Sequence, residues 1–339
     1  MPDRDFSVWK QLSAENEGDW DRLSGSARDS NPFQSEAWGR YKRWFGWEPQ
    51  HWIASADGGR VLCAVQVLKK PLPLGGIALW APGGPLIGFP DATLEDLERA
   101  IPEGIREVCR ANRAGYARFY ILQPAAPETR RILSSLCVVP ARRLGSGATV
   151  RIDLTLPPEK LLGGMEKKHR YLVRRQEENT LRWGWGTSAA LAADLGRLHL
   201  EMAAAKRVSA AGGQELSGLI REFKNNSRIL VGYAGGEPVT ACLVLLHGDG
   251  AFYWRAAAGR RGREMSASYA MVWQLLNRLK EAGLQRFDFG GILPGMRRAA
   301  GINHFKQGFG GEIVEYLGEW EWAPASWIRW GVNLFGVRP

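Results

Sequence analysis

Cysteine is scarce in this chain. The four present (Cys63, Cys109, Cys137 and Cys242) lie far apart, with no CxxC pair and no metal-ligand spacing. A disulfide framework is excluded on that count, structural zinc is disfavoured, and a reducing cytosol suits the pattern. Neither a metal nor a cofactor is expected. No apolar run approaches the roughly 18 residues that a membrane span requires. The opening stretch MPDRDFSVWK lacks the basic-then-apolar layout of a signal peptide, so a cytoplasmic protein is expected. A further absence concerns acyl-CoA. One N-acyltransferase chemistry that uses it normally wants an Arg/Gln-x-x-Gly-x-Gly/Ala loop at a helix start to receive the diphosphate, and the nearest stretch, GRRGREMSAS, does not fit that spacing.

What is present begins with length and charge. At 339 residues and 45% apolar content the chain suggests two domains, each with a proper core. A net charge of +10 favours anionic partners: nucleic acid, nucleotide-sugar phosphates or an anionic membrane surface.

An internal repeat organises the chain. HWIASADGGRVLCAVQVL (51–68) and ILVGYAGGEPVTACLVLL (229–246) both read as strand, Gly-Gly turn, strand. CRANRAGYARFYI (109–121) and NRLKEAGLQRFDF (277–289) both read as a helix end, an Ala-Gly stop and a short strand beginning Arg-Phe. The first pair is offset by 177 positions and the second by 168, in the same order along the chain. A duplicated α/β unit follows from this, with mixed sheets flanked by helices and a join around Gly145 to Pro158. In the second copy, residues 266–283 carry Ala270, Val272, Trp273, Leu275, Leu276 and Leu279 at helical spacing, which predicts a helix with one buried face.

The richest segment is FDFGGILPGMRRAAGINHFKQGFGGEIVEYLG, residues 287–318. A β-like run ends in Gly290-Gly291, and a second glycine-rich turn is expected to carry Lys306 between Phe305 and Phe309. Glycines let backbone approach a ligand closely, and a lysine fixed between aromatics is placed for an anionic group. The same residues also read as a hairpin with core aromatics and a solvated lysine. Asp288 reads equally as a base or as a structural residue ahead of the two glycines.

Taken with NPFQSEAWGRYKRWFGW (31–47), the basic helix KKHRYLVRRQEEN (167–179), and the FDFGGI and HFKQGFGGEIVEYLGEW segments (287–292 and 304–320), the chain resembles the Fem family of aminoacyl-tRNA-dependent peptidoglycan-bridge transferases. The resemblance implies an α/β (α+β) fold of two tandem GNAT-like domains. The first is expected over 1–150 plus 318–339, on the acceptor-precursor side. The second is expected over 151–317, on the aminoacyl-tRNA side, and residues 190–230 leave no room for the long helical arm of some relatives.

The same resemblance assigns roles. Lys306 is the expected catalytic residue, at the acceptor end of the aminoacyl-tRNA, with Phe305 stacking nearby. An aminoacyl ester is already activated, so the protein must supply positioning and stabilisation of a tetrahedral oxyanion, and Lys306 suits either that charge or a contact with the terminal phosphates of the tRNA. Lys42 matches a family lysine that binds phosphate of the cell-wall precursor, and Arg207 matches a family arginine that contacts the same precursor, its guanidinium suited to a diphosphate or a stem-peptide carboxylate. Two positions depart from the pattern. Arg255 stands where relatives have a tyrosine, leaving Tyr253 as the nearby phenol, and Gln123 stands where relatives can have an acid.

Lys167, Lys168, His169, Arg170, Arg174 and Arg175 read as a patch that could follow an RNA backbone. With no aromatic interleaved, a base-stacking surface is not expected there. The tail around Trp320, Trp322, Trp327 and Trp330 reads either as a helix docked on its own domain or as a peripheral contact with the inner face of the plasma membrane. The expected partners are aminoacyl-tRNA as donor and a peptidoglycan precursor (lipid II or UDP-MurNAc-pentapeptide) as acceptor, with no stable protein partner. The alternatives are a GNAT-type N-acyltransferase using acyl-CoA and a non-catalytic Fem-like precursor-binding protein.

Overall fold

The computed structural model describes residues 9–13, 19–72, 75–177, 181–206 and 213–335. By internal contacts the chain divides into two compact units, Met1–Ala148 with Val314–Pro339, and Thr149–Ile313. The first unit contains, in chain order, β1 (Lys10–Gln11), α1 (Trp20–Ser26), α2 (Glu36–Arg43), β2 (Glu48–Ser55), β3 (Val61–Pro71), β4 (Ile77–Pro82), α3 (Leu94–Ala111), β5 (Ala114–Pro124) and α4 (Pro127–Ser134). The second follows with β6 (Ala148–Asp153), α5 (Pro158–Gly164), α6 (Lys167–Glu177), β7 (Arg182–Gly186), α7 (Ala189–Lys206), α8 (Gly213–Phe223), β8 (Ser227–Ala234), β9 (Glu237–His247), β10 (Gly250–Ala258), α9 (Arg260–Glu264), α10 (Ala267–Glu281), β11 (Arg286–Asp288) and α11 (Ala300–Gln307). The chain then returns to the first unit with β12 (Glu312–Trp322) and α12 (Ser326–Phe335).

Each unit builds its sheet in the same way. In the first, β1-β2, β2-β3 and β3-β4 are antiparallel, β4-β5 is parallel, and β5-β12 is antiparallel. In the second, β7-β8, β8-β9 and β9-β10 are antiparallel, β10-β11 is parallel, and β11-β6 is antiparallel. A helix joins each parallel pair, α3 in the first unit and α10 (preceded by α9) in the second, as a parallel connection requires. The two expected hairpins are β2-β3, turning at Gly58-Gly59, and β8-β9, turning at Gly235-Gly236. All four glycines have positive φ.

The joining helices start and stop for local reasons. Thr93 and Asp96 form a reciprocal capping box at the head of α3. Ile101, Ile105, Val108 and Cys109 then fall on its buried face. The expected helix over 266–283 is α10, and Gly283, at φ +81°, ends it. Its counterpart stop differs from the expectation. Gly115 lies inside β5, and the left-handed residue after α3 is Arg113. The repeat therefore conserves the position of the turn without conserving its glycine.

The core of the first unit gathers Trp9, Trp52, Val67, Ile101, Phe119, Ile121 and Trp320. A buried ion pair crosses its sheet. Arg118 on β5 donates to Glu319 on β12, Nε to Oε2 at 2.8 Å. The other carboxylate oxygen of Glu319 accepts the backbone N–H groups of Leu144 and Gly145. Arg118 also reaches the carbonyl of Arg142 at 2.6 Å. One carboxylate thereby ties two strands to the loop at 142–145. Helix α12 lays Ile328 and Val332 against Ala78, Tyr116 and Ala323, while Trp327 and Trp330 stay exposed at 73% and 68%. Among the described residues, no helix is long and apolar enough to cross a membrane.

Candidate functional site

The site is built where the parallel ladder of the second unit stops. β10 and β11 pair over only three positions, from Gly250–Arg286 to Phe252–Asp288. Beyond that, β10 bulges between Tyr253 and Arg255, and β11 gives way to a turn at Gly290 (φ +59°) and Gly291 (φ +36°). A Cβ on Gly290 would meet Tyr253 O at 2.9 Å and the Phe252 ring at 3.0 Å, so only glycine brings the backbone this close. Asp288 fixes the turn. Its Oδ1 accepts from Gly290 N–H at 2.8 Å and from Thr149 Oγ1 at 2.5 Å, and Arg151 Nε donates to its Oδ2 at 3.2 Å. That engagement matches the structural reading of Asp288.

Into this turn reaches Lys306. Its Nζ donates to Gly291 O at 2.7 Å and to Gly290 O, and the residue is only 8% exposed. Burial pushes its pKa down from 10.5 to about 8, with the nearby Asp288 charge acting in the opposite direction. The expected glycine-rich turn around this lysine is corrected here. Lys306 lies in the last turn of α11, and the glycines with positive φ, Gly310 and Gly311, follow it. A helix presents the ammonium from a rigid element, where a turn would let it wander.

Aromatic rings line the same helix. Phe305 and Phe309 meet edge to face at 5.2 Å, Tyr269 of α10 meets Phe305 at 5.2 Å, and His169 of α6 sits 4.9 Å from both Tyr269 and Phe309. Phe289, 5.6 Å from Phe309, continues the cluster toward Phe287. His169 leaves the expected basic patch for this core. It is fully buried, its Nε2 is 3.1 Å from Phe305 O, and burial holds its pKa below the ordinary value. A neutral imidazole there is packing and not RNA-facing charge.

Gly308 makes room for that ring, since a Cβ would run into His169 Cε1 and Nε2. Gly308→Ala is therefore expected to cost about 1–3 kcal/mol through overpacking. Denaturant midpoints at unchanged slope would measure it, and an unshifted midpoint would mean that the histidine moves aside freely.

The other expected site residues fall as follows. Phe305 adjoins Lys306 on α11. Tyr253 is a core ring at 9% exposure, 5.8 Å from Phe289, and burial pushes its phenol well above the ordinary pKa. The nearby phenol expected on the substrate side is thus a packing residue behind the turn. Arg255 lies past the bulge, its Nη2 3.4 Å from Glu215 of α8. Arg207 lies outside the described residues. Lys42 belongs to the first unit, on α2, with its ammonium 4.7 Å from the ring of Trp80, 5.2 Å from Trp38 and 5.4 Å from Phe45. Such a cage favours a cation through the ring faces.

Two features escaped the sequence reading. Glu201 of α7 accepts the backbone N–H of Arg260 at 2.6 Å, at the start of α9. Tyr171, inside the basic helix, is 60% exposed, which corrects the expectation that no aromatic interleaves there.

Residues 203–333 match the FemAB family. The resemblance to the Fem family stated from the sequence thus holds over the segment that carries Lys306. Over 99 residues the chain is 28% identical to the aminoacyltransferase FemA of Staphylococcus epidermidis, a match covering 28% of this chain and 24% of that protein. The match therefore spans about a quarter of the length of this curated relative. The crystal structure of FemX superposes with a TM-score of 0.83 at 12% identity, over 96% of this chain and 99% of that one. A tandem GNAT protein from the clavulanic acid biosynthesis pathway superposes with a TM-score of 0.54 at 15% identity, over 94% and 98%. At those identities the likeness is one of fold, and the fold is the tandem GNAT-like α/β arrangement implied by the family resemblance, in agreement with the duplicated unit read from the repeat.

Proposed function

We propose that this chain is an aminoacyltransferase that moves an amino acid from aminoacyl-tRNA to an amine of a peptidoglycan-precursor stem peptide. The observation that carries this reading is the Lys306 ammonium, held by the carbonyls of Gly290 and Gly291 at a strand end. An ammonium has three donors, and two are engaged there. The third is available to oxygen as charge develops.

In the reaction, the acceptor amine attacks the ester carbonyl carbon and a tetrahedral oxyanion forms. The C–O bond to the terminal ribose then breaks, and the amine's proton leaves with the ribose oxygen as a hydroxyl. Lys306 supplies positive charge to the oxyanion from a group already fixed in place, and Phe305 stacks against the donor's end. Lys42 takes a precursor phosphate, Arg207 contacts the same precursor through a diphosphate or a stem-peptide carboxylate, and Arg255 contributes to the acceptor side. Trp327 and Trp330 suit a peripheral contact with the membrane that would carry a lipid-linked acceptor.

The acyl-CoA alternative is disfavoured by Glu201. A helix start receives a diphosphate through free N–H groups, and here the first N–H of α9 is already bonded to a carboxylate. The deciding assay offers the purified protein charged tRNA, acyl-CoA and a labelled precursor. Transfer from charged tRNA alone is expected. Product from acyl-CoA alone would move the chain to the N-acyltransferases, and no product from either donor would leave a precursor-binding protein.

A further inference from the structure

We propose that Tyr171 on α6 is a stacking surface for an unpaired nucleobase, with Lys167, Arg174 and Arg175 around it holding the adjoining phosphates. The ligand is a single-stranded RNA segment. This rests on the reading of a tRNA donor and gives that donor a second point of attachment, away from Lys306.

The helix separates two faces. His169, Leu172 and Val173 are buried, and at 100° per residue they share one arc. Lys167, Tyr171, Arg174 and Arg175 fall on the opposite arc, spaced three and four residues apart so that their side chains are neighbours. Tyr171 is central to that arc and 60% exposed. Among the described residues, no ring or polar group engages its side chain. These residues and Arg170 line a concavity of about 570 Å³, within the range of small-ligand sites, about 300–1,000 Å³. Arg170 is committed to the fold, with its Nη1 donating to Gly163 O at 3.0 Å and to Met165 O. Glu166, just before the helix, has its Oε2 3.7 Å from both His169 Nδ1 and His304 Nε2, which places the carboxylate on the histidine side of α6.

Cations with an exposed ring between them are what single-stranded nucleic acid recognises: charge follows the backbone and the ring stacks one base. In a duplex each base is already stacked, so its face is not available to a tyrosine. A membrane surface is the weaker match, because an interfacial helix needs an apolar face outward and the apolar side of α6 is buried.

The test is equilibrium binding of the full chain to a short oligoribonucleotide, to its abasic counterpart, to a blunt duplex, and to phosphatidylglycerol vesicles. The wild type is expected to prefer the base-bearing strand over the abasic one by about 5- to 150-fold, the range for one aromatic–base stack. Tyr171→Ala should abolish that preference while leaving the slope of log K against log salt unchanged, and Tyr171→Phe should retain it. Replacing Arg174 and Arg175 by Glu should weaken both strands and flatten the salt slope. Equal binding of base-bearing and abasic strands by the wild type would overturn the proposal. So would an unaltered preference in Tyr171→Ala, or binding to the vesicles without binding to RNA. The assay needs no turnover, so failure of transfer from charged tRNA would sink the proposed function while Tyr171-dependent binding stood, and the reverse result would sink only this site.

Discussion

Lys306→Ala is expected to lower turnover from charged tRNA by about 10²–10³-fold, the usual loss of one oxyanion-stabilising donor, with precursor binding intact. The buried position makes the expectation specific. The ammonium is fixed on Gly290 O and Gly291 O, so its loss removes a charge held at one defined place. Alanine also strands two carbonyls, and Lys306→Met, which keeps most of the stem, separates packing from charge. Both variants should show similar losses of rate.

The pH dependence follows with opposite signs for rate and stability. The folded-state pKa is about 8, against 10.5 for an ordinary lysine. Below pH 8 the folded and unfolded chains both hold the proton. Between about 8 and 10.5 only the unfolded chain holds it, so this group's contribution to stability rises with pH in that window. The ammonium that the proposed mechanism uses is lost over the same window, so the single-turnover rate should fall above about pH 8 while the unfolding midpoint does not. A rate that climbs steadily through pH 9, or full turnover by Lys306→Ala at saturating tRNA, would remove the lysine from the chemistry.

What could be read from the chain beforehand divides by the range of the interactions. The β8-β9 hairpin and the long helix α10 depend on local signals, a Gly-Gly pair between apolar runs and apolar residues at helical spacing, and both were legible. So was the duplication, because each copy repeats those signals in order. The place of Lys306 was not. Glycines crowd that segment, and their number suggested a turn around the lysine, whereas Ala300–Gln307 completes a helix before Gly310 and Gly311 break it. That β11 is only three residues long, and pairs with the near end of β10, is set by tertiary contacts that no local pattern records.

The misreadings on α6 were different, because their signal was present. His169, Leu172 and Val173 stand at i, i+3 and i+4, the spacing of a buried stripe. Counting charges along the segment, in place of projecting it on a helix, put His169 outside and left Tyr171 unnoticed. For Lys42, Trp38 and Phe45 stand four before and three after it and were predictable neighbours, while Trp80 arrives from β4 through the fold.

The largest stability effect is expected from the first unit, at a residue with no part in the chemistry. Glu319→Ala should destabilise the protein by about 3–5 kcal/mol, the cost of leaving one member of a buried ion pair alone. Arg118 and Glu319 are 9% and 3% exposed, so water cannot take over for the missing carboxylate. The N–H groups of Leu144 and Gly145 lose their acceptor in the same step, which adds to the penalty for unpaired donors. Glu319→Gln keeps an acceptor oxygen and should lose less. If the charge left behind is the cause, Arg118→Met combined with Glu319→Met should recover much of the loss, since apolar side chains of similar volume can replace a buried pair at little cost. Urea unfolding of the three variants decides it. Equal destabilisation of Glu319→Ala and the double variant would place the whole cost in the 142–145 loop and none in the stranded guanidinium.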